Sequence, residues 1–333
     1  GITLAALADS LSKAGQFVPL DAPLRRHATV GGTLASAWPG PRRHLYGRVR
    51  DYVIGSQVVL ADGTLAHAGG MVVKNVTGYD MSKLYIGSFG TLGVLTRANF
   101  KTLPLPAVTR AVLAKLPERT RSRAIAHVTG LAIPPAVLFC VEGYRKEVDG
   151  DDGIDGRVVV LFEGSEALVD RATRDLRSAL GRAGVPEATI VDAGANELFA
   201  RALDATIAVV AERSITYRSL GTPETAENRM LEMRDAAHRH QLFTDTLLDP
   251  LNGDAYLRVS ERDTRAFSTR IEDFDEALHG IDPRATVVAG DSPMRGSLRV
   301  WGEEPPAMAK MRAVKAVFDP NGTLNPGRYL PGL

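Results

Sequence analysis

The chain has 333 residues, 24% of them charged and 44% apolar, with 40 basic side chains against 39 acidic ones. A chain this long buries a real core and divides into about two domains. Its charge balance argues against nucleic acid, which needs a basic face. One cysteine, Cys140, excludes an internal disulfide, an iron–sulfur cluster of the chain's own and a four-cysteine zinc site.

No apolar run is long enough to cross a bilayer, "TIAVVA" at Thr206–Ala211 included. No leader with a basic start and an apolar middle opens the chain, so a cytoplasmic protein is expected. Cys140, inside "VLFCVEG", reads as a buried strand residue.

The opening "GITLAALADSL" has helical spacing over Leu4–Ala14 and reads as a helix already in progress, capped by nothing. Leu20–Gly47 carries Pro, Gly and Arg with little periodicity. It reads as a long structured loop with one short helix near Thr33–Ala37, and loops of that length are usually functional. Asp62–Gly63 between two alternating runs is a hairpin signal. A short helix at Met81–Tyr85, a glycine turn and a strand from Val94 to Leu103 follow. Gly78, Gly87, Gly90 and Gly93 lie here among strand-like residues, where glycine weakens the strand unless the bare backbone is needed.

The pattern then changes and repeats. Val112–Leu116, Ala136–Gly143, Arg157–Glu163 and Ala188–Asp192 read as strands, with helices at Arg119–Thr129 and Glu166–Arg182. After a helix at Ala195–Ala211, strands at Ser214–Ser219, Phe243–Leu248, Ala255–Ser260 and Ala285–Ala289 alternate with helices at Thr222–His240 and Thr264–His279. Each half has the β-α-β-β-α-β order of the ferredoxin-like unit. Consecutive strands with no helix between them speak against a doubly wound α/β sheet. "AMAKMRAVKAVFDP" is an amphipathic helix stopped at Asp319–Pro320, with an extended tail after it.

Neither glycine-bearing segment is G-x-G-x-x-G between a strand and a helix, and neither is a Walker loop. Both offer amides and small residues suited to an extended ligand with a flat ring and phosphates. Together, "ATVGGTLASAWPGPRRHLYGRVRDYVIGSQVVLADG", "KNVTGYDMSKLYIGSFGTLGVLTRANFKTLPLP" and the ending "FDPNGTLNPGRYLPG" resemble FAD-linked oxidases of the vanillyl-alcohol-oxidase/PCMH type. The nearest likeness is to the FAD-binding subunit of bacterial glycolate oxidase. The resemblance covers essentially the whole chain.

That resemblance implies an α+β protein in three parts. Residues 1–107 would be the later part of a PCMH-type FAD-binding domain, 108–300 a duplicated cap, and 301–333 a helix and tail returning to the FAD domain. It implies FAD contacts at Thr29, Gly31, Gly32 and Thr33, along the loop at Gly40, Arg43, Tyr46 and Gly47, and at Gly87, Gly90, Thr91, Gly93 and Val94. The implied activity is transfer of hydride from a small 2-hydroxy acid to flavin. With no cysteine cluster, electrons would pass on to an iron–sulfur partner or a quinone. Implied partners are other glycolate oxidase subunits, a second flavoprotein and an iron–sulfur subunit, with an inner-membrane location reached only through them. A stand-alone alcohol or sugar oxidase, and a non-catalytic structural flavoprotein subunit, are the alternatives.

Two departures from the family pattern stand out. Its glycine-rich pyrophosphate loop is not seen before "GITL", so this chain is expected to bind FAD poorly. The place of the family's His-containing "GDGN" metal segment reads "DPLNGDAYLRVS", where Asp254 looks like a hairpin residue. His238 and His240, two apart on a helix, diverge by about 200° and make no metal pair. Arg42, Arg43, Arg50 and Lys74 are candidates to meet an anion or, equally, to form surface salt bridges; Tyr79 is expected to pack or hydrogen-bond, and Arg328 to anchor the tail under the cap. No general base can be named.

Overall fold

The computed structural model describes residues 1–71, 79–144, 148, 156–185, 188–208, 213–261, 267–290, 296–331 and 333. Lys74 and Gly78 lie outside them. The chain divides into two compact units, residues 1–105 with 304–333, and residues 106–303.

In the first unit the opening helix, Leu4–Ser12, is capped after all: the Thr3 hydroxyl accepts the Ala6 amide at 3.2 Å. The uncapped reading is corrected by a Thr whose extended backbone frees its oxygen for that amide. Two short strands, β1 (Gln16–Phe17) and, after the hairpin, β5 (Leu103–Pro104), pair with each other. The Leu20–Gly47 region holds a helix at Val30–Ser36 and a single turn at Arg43–Tyr46. The first helix starts three residues earlier than expected, because Thr29 caps it and outweighs the poor helix propensity of Gly31 and Gly32.

Strands β2 (Val53–Val59), β3 (Leu65–Gly69) and β4 (Val94–Phe100) form an antiparallel sheet in the order β3-β2-β4. The expected hairpin closes β2 on β3, with Gly63 at φ +84° and the Thr64 amide donating to Asp62 Oδ1 at 2.9 Å. The helix Met308–Phe318 belongs to this unit and packs Val314 and Phe318 against Val58, Tyr85 and Leu92. Tyr85 and Phe318 meet edge to face at 6.1 Å.

The second unit is one eight-stranded antiparallel sheet. Its strands are β6 (Val108–Leu116), β7 (Val137–Glu142), β8 (Gly156–Gly164), β9 (Thr189–Val191), β10 (Ser214–Leu220), β11 (Phe243–Asp249), β12 (Asp254–Ser260) and β13 (Thr286–Gly290). The order β13-β10-β12-β11-β7-β8-β6-β9 is two ferredoxin-like halves joined where β7 pairs with β11. The repeat legible in the sequence therefore closes into a single sheet. Helices Arg121–Thr129 and Glu166–Ala183 cover the first half, packing on Val158, Val160 and Phe162. Helices Pro223–Arg239 and Phe267–Ile281 cover the second. β7 and β8 are buried along almost their whole length, which requires cover on both faces. Phe199, from helix Ala195–Ala205, stacks on Phe139 at 6.3 Å, and Phe139 alternates with the helix-facing Leu138 and Cys140. Cys140 is buried, and burial pushes its thiol well up.

Candidate functional site

A cleft of about 570 Å³ opens in the first unit, within the usual range for a cofactor or small-molecule site. Four elements build it: the opening segment at Gly1, Ile2 and Leu7, the start of helix Val30–Ser36, the turn Gly87–Gly93 with β4 after it, and the tail at Leu324–Asn325. Of the residues implied as cofactor contacts, Thr29, Gly31, Gly32, Gly90, Gly93 and Val94 line it together.

Each holds its place for a local reason. The Thr29 hydroxyl accepts the Gly32 amide at 3.0 Å and its carbonyl accepts the Thr33 hydroxyl at 2.9 Å, so the first helical turn is fixed from below. Thr33 itself is buried. Gly90 sits at φ +71°, and a Cβ there would lie 2.7 Å from Asn325 Nδ2. A Cβ on Gly93 would lie 2.3 Å from the buried Val58 side chain. These two glycines are therefore required by the chain's own packing. Gly31 differs. Its absent Cβ would meet only the Leu95 carbonyl, at 3.7 Å, so the backbone there is bare toward the cleft.

The remaining residues of that set lie elsewhere. Gly87 and Thr91 line a second cavity of about 220 Å³ beside the C-terminal helix, and the Thr91 hydroxyl is spent on the Ser88 carbonyl at 2.7 Å. Gly40, Arg43, Tyr46 and Gly47 form a separate loop. A Cβ on Gly40 would strike Asp21 at 2.8 Å, Arg43 donates to the Pro39 and Gly40 carbonyls, and the Tyr46 carbonyl accepts the Tyr52 hydroxyl. Gly47, at φ +90°, turns the chain against Asp51.

Among the arginines of that loop, Arg42 is paired with buried Asp21 at 2.6 Å, which is the salt-bridge reading. Arg50 is exposed on its single 3-10 turn, and Arg328 is exposed in the tail. Tyr79, expected to pack, is 94% exposed, which corrects that expectation. His238 is exposed and bonded to Thr244 Oγ1 at 3.0 Å, while His240 meets the Phe274 ring, so they act apart. Asp254 opens β12 opposite Asp249 at the hairpin. Among the described residues no three metal-ligating side chains come together.

Sequence reasoning missed Arg97 and Asn325. Arg97 is the single charged side chain among the described residues lining the cleft, projecting from β4 at the sheet's edge. Alternation along Val94–Phe100 could have placed it on the solvent side, but not beside a cleft.

Two family profiles match, "FAD binding domain" over residues 1–69 and "FAD linked oxidases, C-terminal domain" over residues 301–329. Both ends of the chain are thus similar to FAD-linked oxidases. Both profiles fall in the first unit apart from residues 301–303, and the cleft is lined from both. The chain is 27% identical to glycolate oxidase subunit GlcD of Bacillus subtilis, over 94% of this chain and 70% of that one. It is 35% identical to glycolate oxidase subunit GlcE of Escherichia coli, over 53% of this chain and 47% of that one, so it spans about half of that relative. The solved structure of p-cresol methylhydroxylase shares the fold, with a TM-score of 0.67 at 14% identity, over 96% of this chain and 73% of that one.

FAD is the cofactor that both matched profiles name. The cleft fits such a group on two observations. A bare helical backbone at Gly31 admits a flat ring without a Cβ in the way, and Arg97 supplies a positive charge at the rim for an anion.

Proposed function

We propose that this chain is the FAD-binding subunit of a complex oxidising glycolate or a related 2-hydroxy acid. The cleft carries the reading: both profile-matching segments contribute to it together with the Gly90–Phe100 stretch between them, and its lining contains six of the residues expected to contact FAD. The similarity to two glycolate oxidase subunits supports the substrate class and a multi-subunit assembly.

When bound, FAD would accept hydride from the carbinol carbon of the hydroxy acid. This chain's residues do the holding. Gly31 and Gly32 would let the cofactor approach the backbone, while Val94 and Leu95 add apolar surface to the lining. Arg97 would offset negative charge on a bound diphosphate, which is otherwise costly to remove from water. The described residues at the cleft include no histidine or carboxylate to take the hydroxyl proton. That favours a subunit working with partners over a stand-alone oxidase.

FAD titration into the purified chain, followed by flavin fluorescence, tests this. Weak but saturable quenching is expected, and Arg97→Gln should weaken binding several-fold further. Glycolate should bleach the bound flavin only when partner subunits are added. Bleaching by the chain alone would support the stand-alone oxidase. Absence of saturable quenching at millimolar FAD would overturn the flavin reading.

A further inference from the structure

The helix Met308–Phe318 carries a lysine whose ammonium group is almost out of solvent. Lys315, 8% exposed, donates from Nζ to the Thr91 carbonyl at 2.8 Å, to Asp319 Oδ2 at 2.6 Å and to the Leu324 carbonyl at 3.0 Å. All three of its donors are used. Asp319 is also buried, and it accepts the amides of Thr323 at 2.9 Å and Leu324 at 2.7 Å.

An ion pair this buried is a poor way to gain stability, since an apolar side chain of similar length would avoid the desolvation cost. What an ammonium can do, and an apolar chain cannot, is hold two distant stretches of backbone at a fixed separation. Those stretches are two walls of the cleft. Thr91 lies between the cleft-lining Gly90 and Gly93, and Leu324 with Asn325 lines the cleft from the tail. A second tie runs beside the first. Asn325 Nδ2 donates to the Phe89 carbonyl at 2.7 Å, and the Phe89 ring stacks on Tyr329 at 4.6 Å.

The same turn is fastened on its other side to the helix that Thr29 caps. The amides of Gly87 and Phe89 donate to the carbonyls of Leu34 and Ala35, at 3.0 and 2.8 Å. The turn is thus pinned between a helix and the tail, and Lys315 is the charged pin.

We propose that Lys315, braced by Asp319, is a positioning residue for the FAD cleft: it sets the spacing between the Gly90–Gly93 wall and the Leu324–Asn325 wall, and so the cleft's affinity for FAD. This rests on the reading of the cleft as the flavin site. Burial opposes the charge on Asp319, but the Lys315 bond and the two amides outweigh it and hold its carboxyl at about 2, so the Asp319 brace stays a carboxylate at neutral pH.

The test compares the full chain with Lys315→Met, which keeps length and removes the donors, and with Asp319→Asn, which keeps shape and removes the brace. FAD affinity by fluorescence quenching and the visible circular dichroism of bound flavin are read beside thermal unfolding of the FAD-free proteins. We expect Lys315→Met to bind FAD at least about tenfold more weakly, with an altered flavin dichroism, and Asp319→Asn to show a smaller loss of the same kind. Val317→Ser, on the exposed side of the same helix, should change neither readout. A folded Lys315→Met with parental affinity and dichroism would overturn the proposal. Should that variant not fold, Asp319→Asn decides by the same criteria. Lack of FAD binding by the parent chain would instead sink the reading of the cleft.

Discussion

At the residue scale, glycines that look equivalent in the sequence have different jobs in the structure. Gly93 is bare because Val58 fills the space a Cβ would take; Gly31 is bare against the cleft. The two can be separated. Gly93→Ala forces extra volume into packed surroundings and should cost about 1–3 kcal/mol in urea unfolding. Gly31→Ala adds a methyl without a clash and improves helix propensity, so stability should hold or rise by up to about 1 kcal/mol while FAD affinity falls. Equal FAD affinity in parent and Gly31→Ala would show that no ring lies against this backbone. Gly90→Val separates nothing, because φ +71° and Asn325 make it disruptive whatever binds. The sequence signalled that bare backbone was needed in Gly87–Gly93. It carried no signal for the neighbour involved, because Val58 and Asn325 are 35 and 232 residues away in the chain from Gly93.

At the element scale, helix Phe267–Ile281 is held by a histidine with unusual surroundings. His279 is buried, and both ring nitrogens face carbonyl oxygens: Nδ1 that of Asp275 at 2.7 Å, Nε2 that of Ala285 at 3.2 Å. Carbonyls only accept, so the two contacts are both hydrogen bonds only in the imidazolium form, which these surroundings favour. The Asp275 carboxylate stands 3.5 Å from Nδ1, and it also accepts the Tyr217 hydroxyl at 2.9 Å and the Arg299 amide at 3.1 Å. Burial alone would lower the pKa of His279, but Asp275 and the carbonyls more than reverse that and raise it. A raised pKa in the folded state stabilises fully below the unfolded value of about 6.5, and the contribution is lost as pH rises through the folded value. The gap in unfolding free energy between the parent and His279→Gln should therefore narrow in alkaline buffer. A gap that does not change with pH would mean a neutral ring. The helices and strands of this unit were legible from their periodicity. The β1–β5 pairing in the first unit was not, since strands of two residues carry no period to read.

At the scale of the whole molecule, the second unit is continuous in sequence and the first is not. Residues 106–303 have their own cores on both halves of the sheet, so expressed alone they should unfold in a cooperative transition. A chain ending at residue 303 lacks Val314 and Phe318 and would leave Val58, Tyr85 and Leu92 uncovered. Calorimetry on it should show the first unit's transition lowered or lost while the second unit's remains; an unchanged first transition would contradict that packing. The duplicated cap pattern was plain in the sequence. That the halves share one sheet was not, because the seam is only Thr246–Glu142, Leu247–Val141 and Leu248–Cys140, three pairs across about a hundred residues.

The split first unit has a consequence for how the protein is made. A ribosome working at roughly 5–20 residues per second needs about 10–40 s to pass through the second unit. For most of that time the strands around Val58 and the turn at Gly90 are already made, while Lys315 has yet to be synthesised. Nascent molecules must therefore wait with a half-built pocket, exposed to chaperones and proteases. Closing of the pocket is then timed by the arrival of the Met308–Phe318 helix.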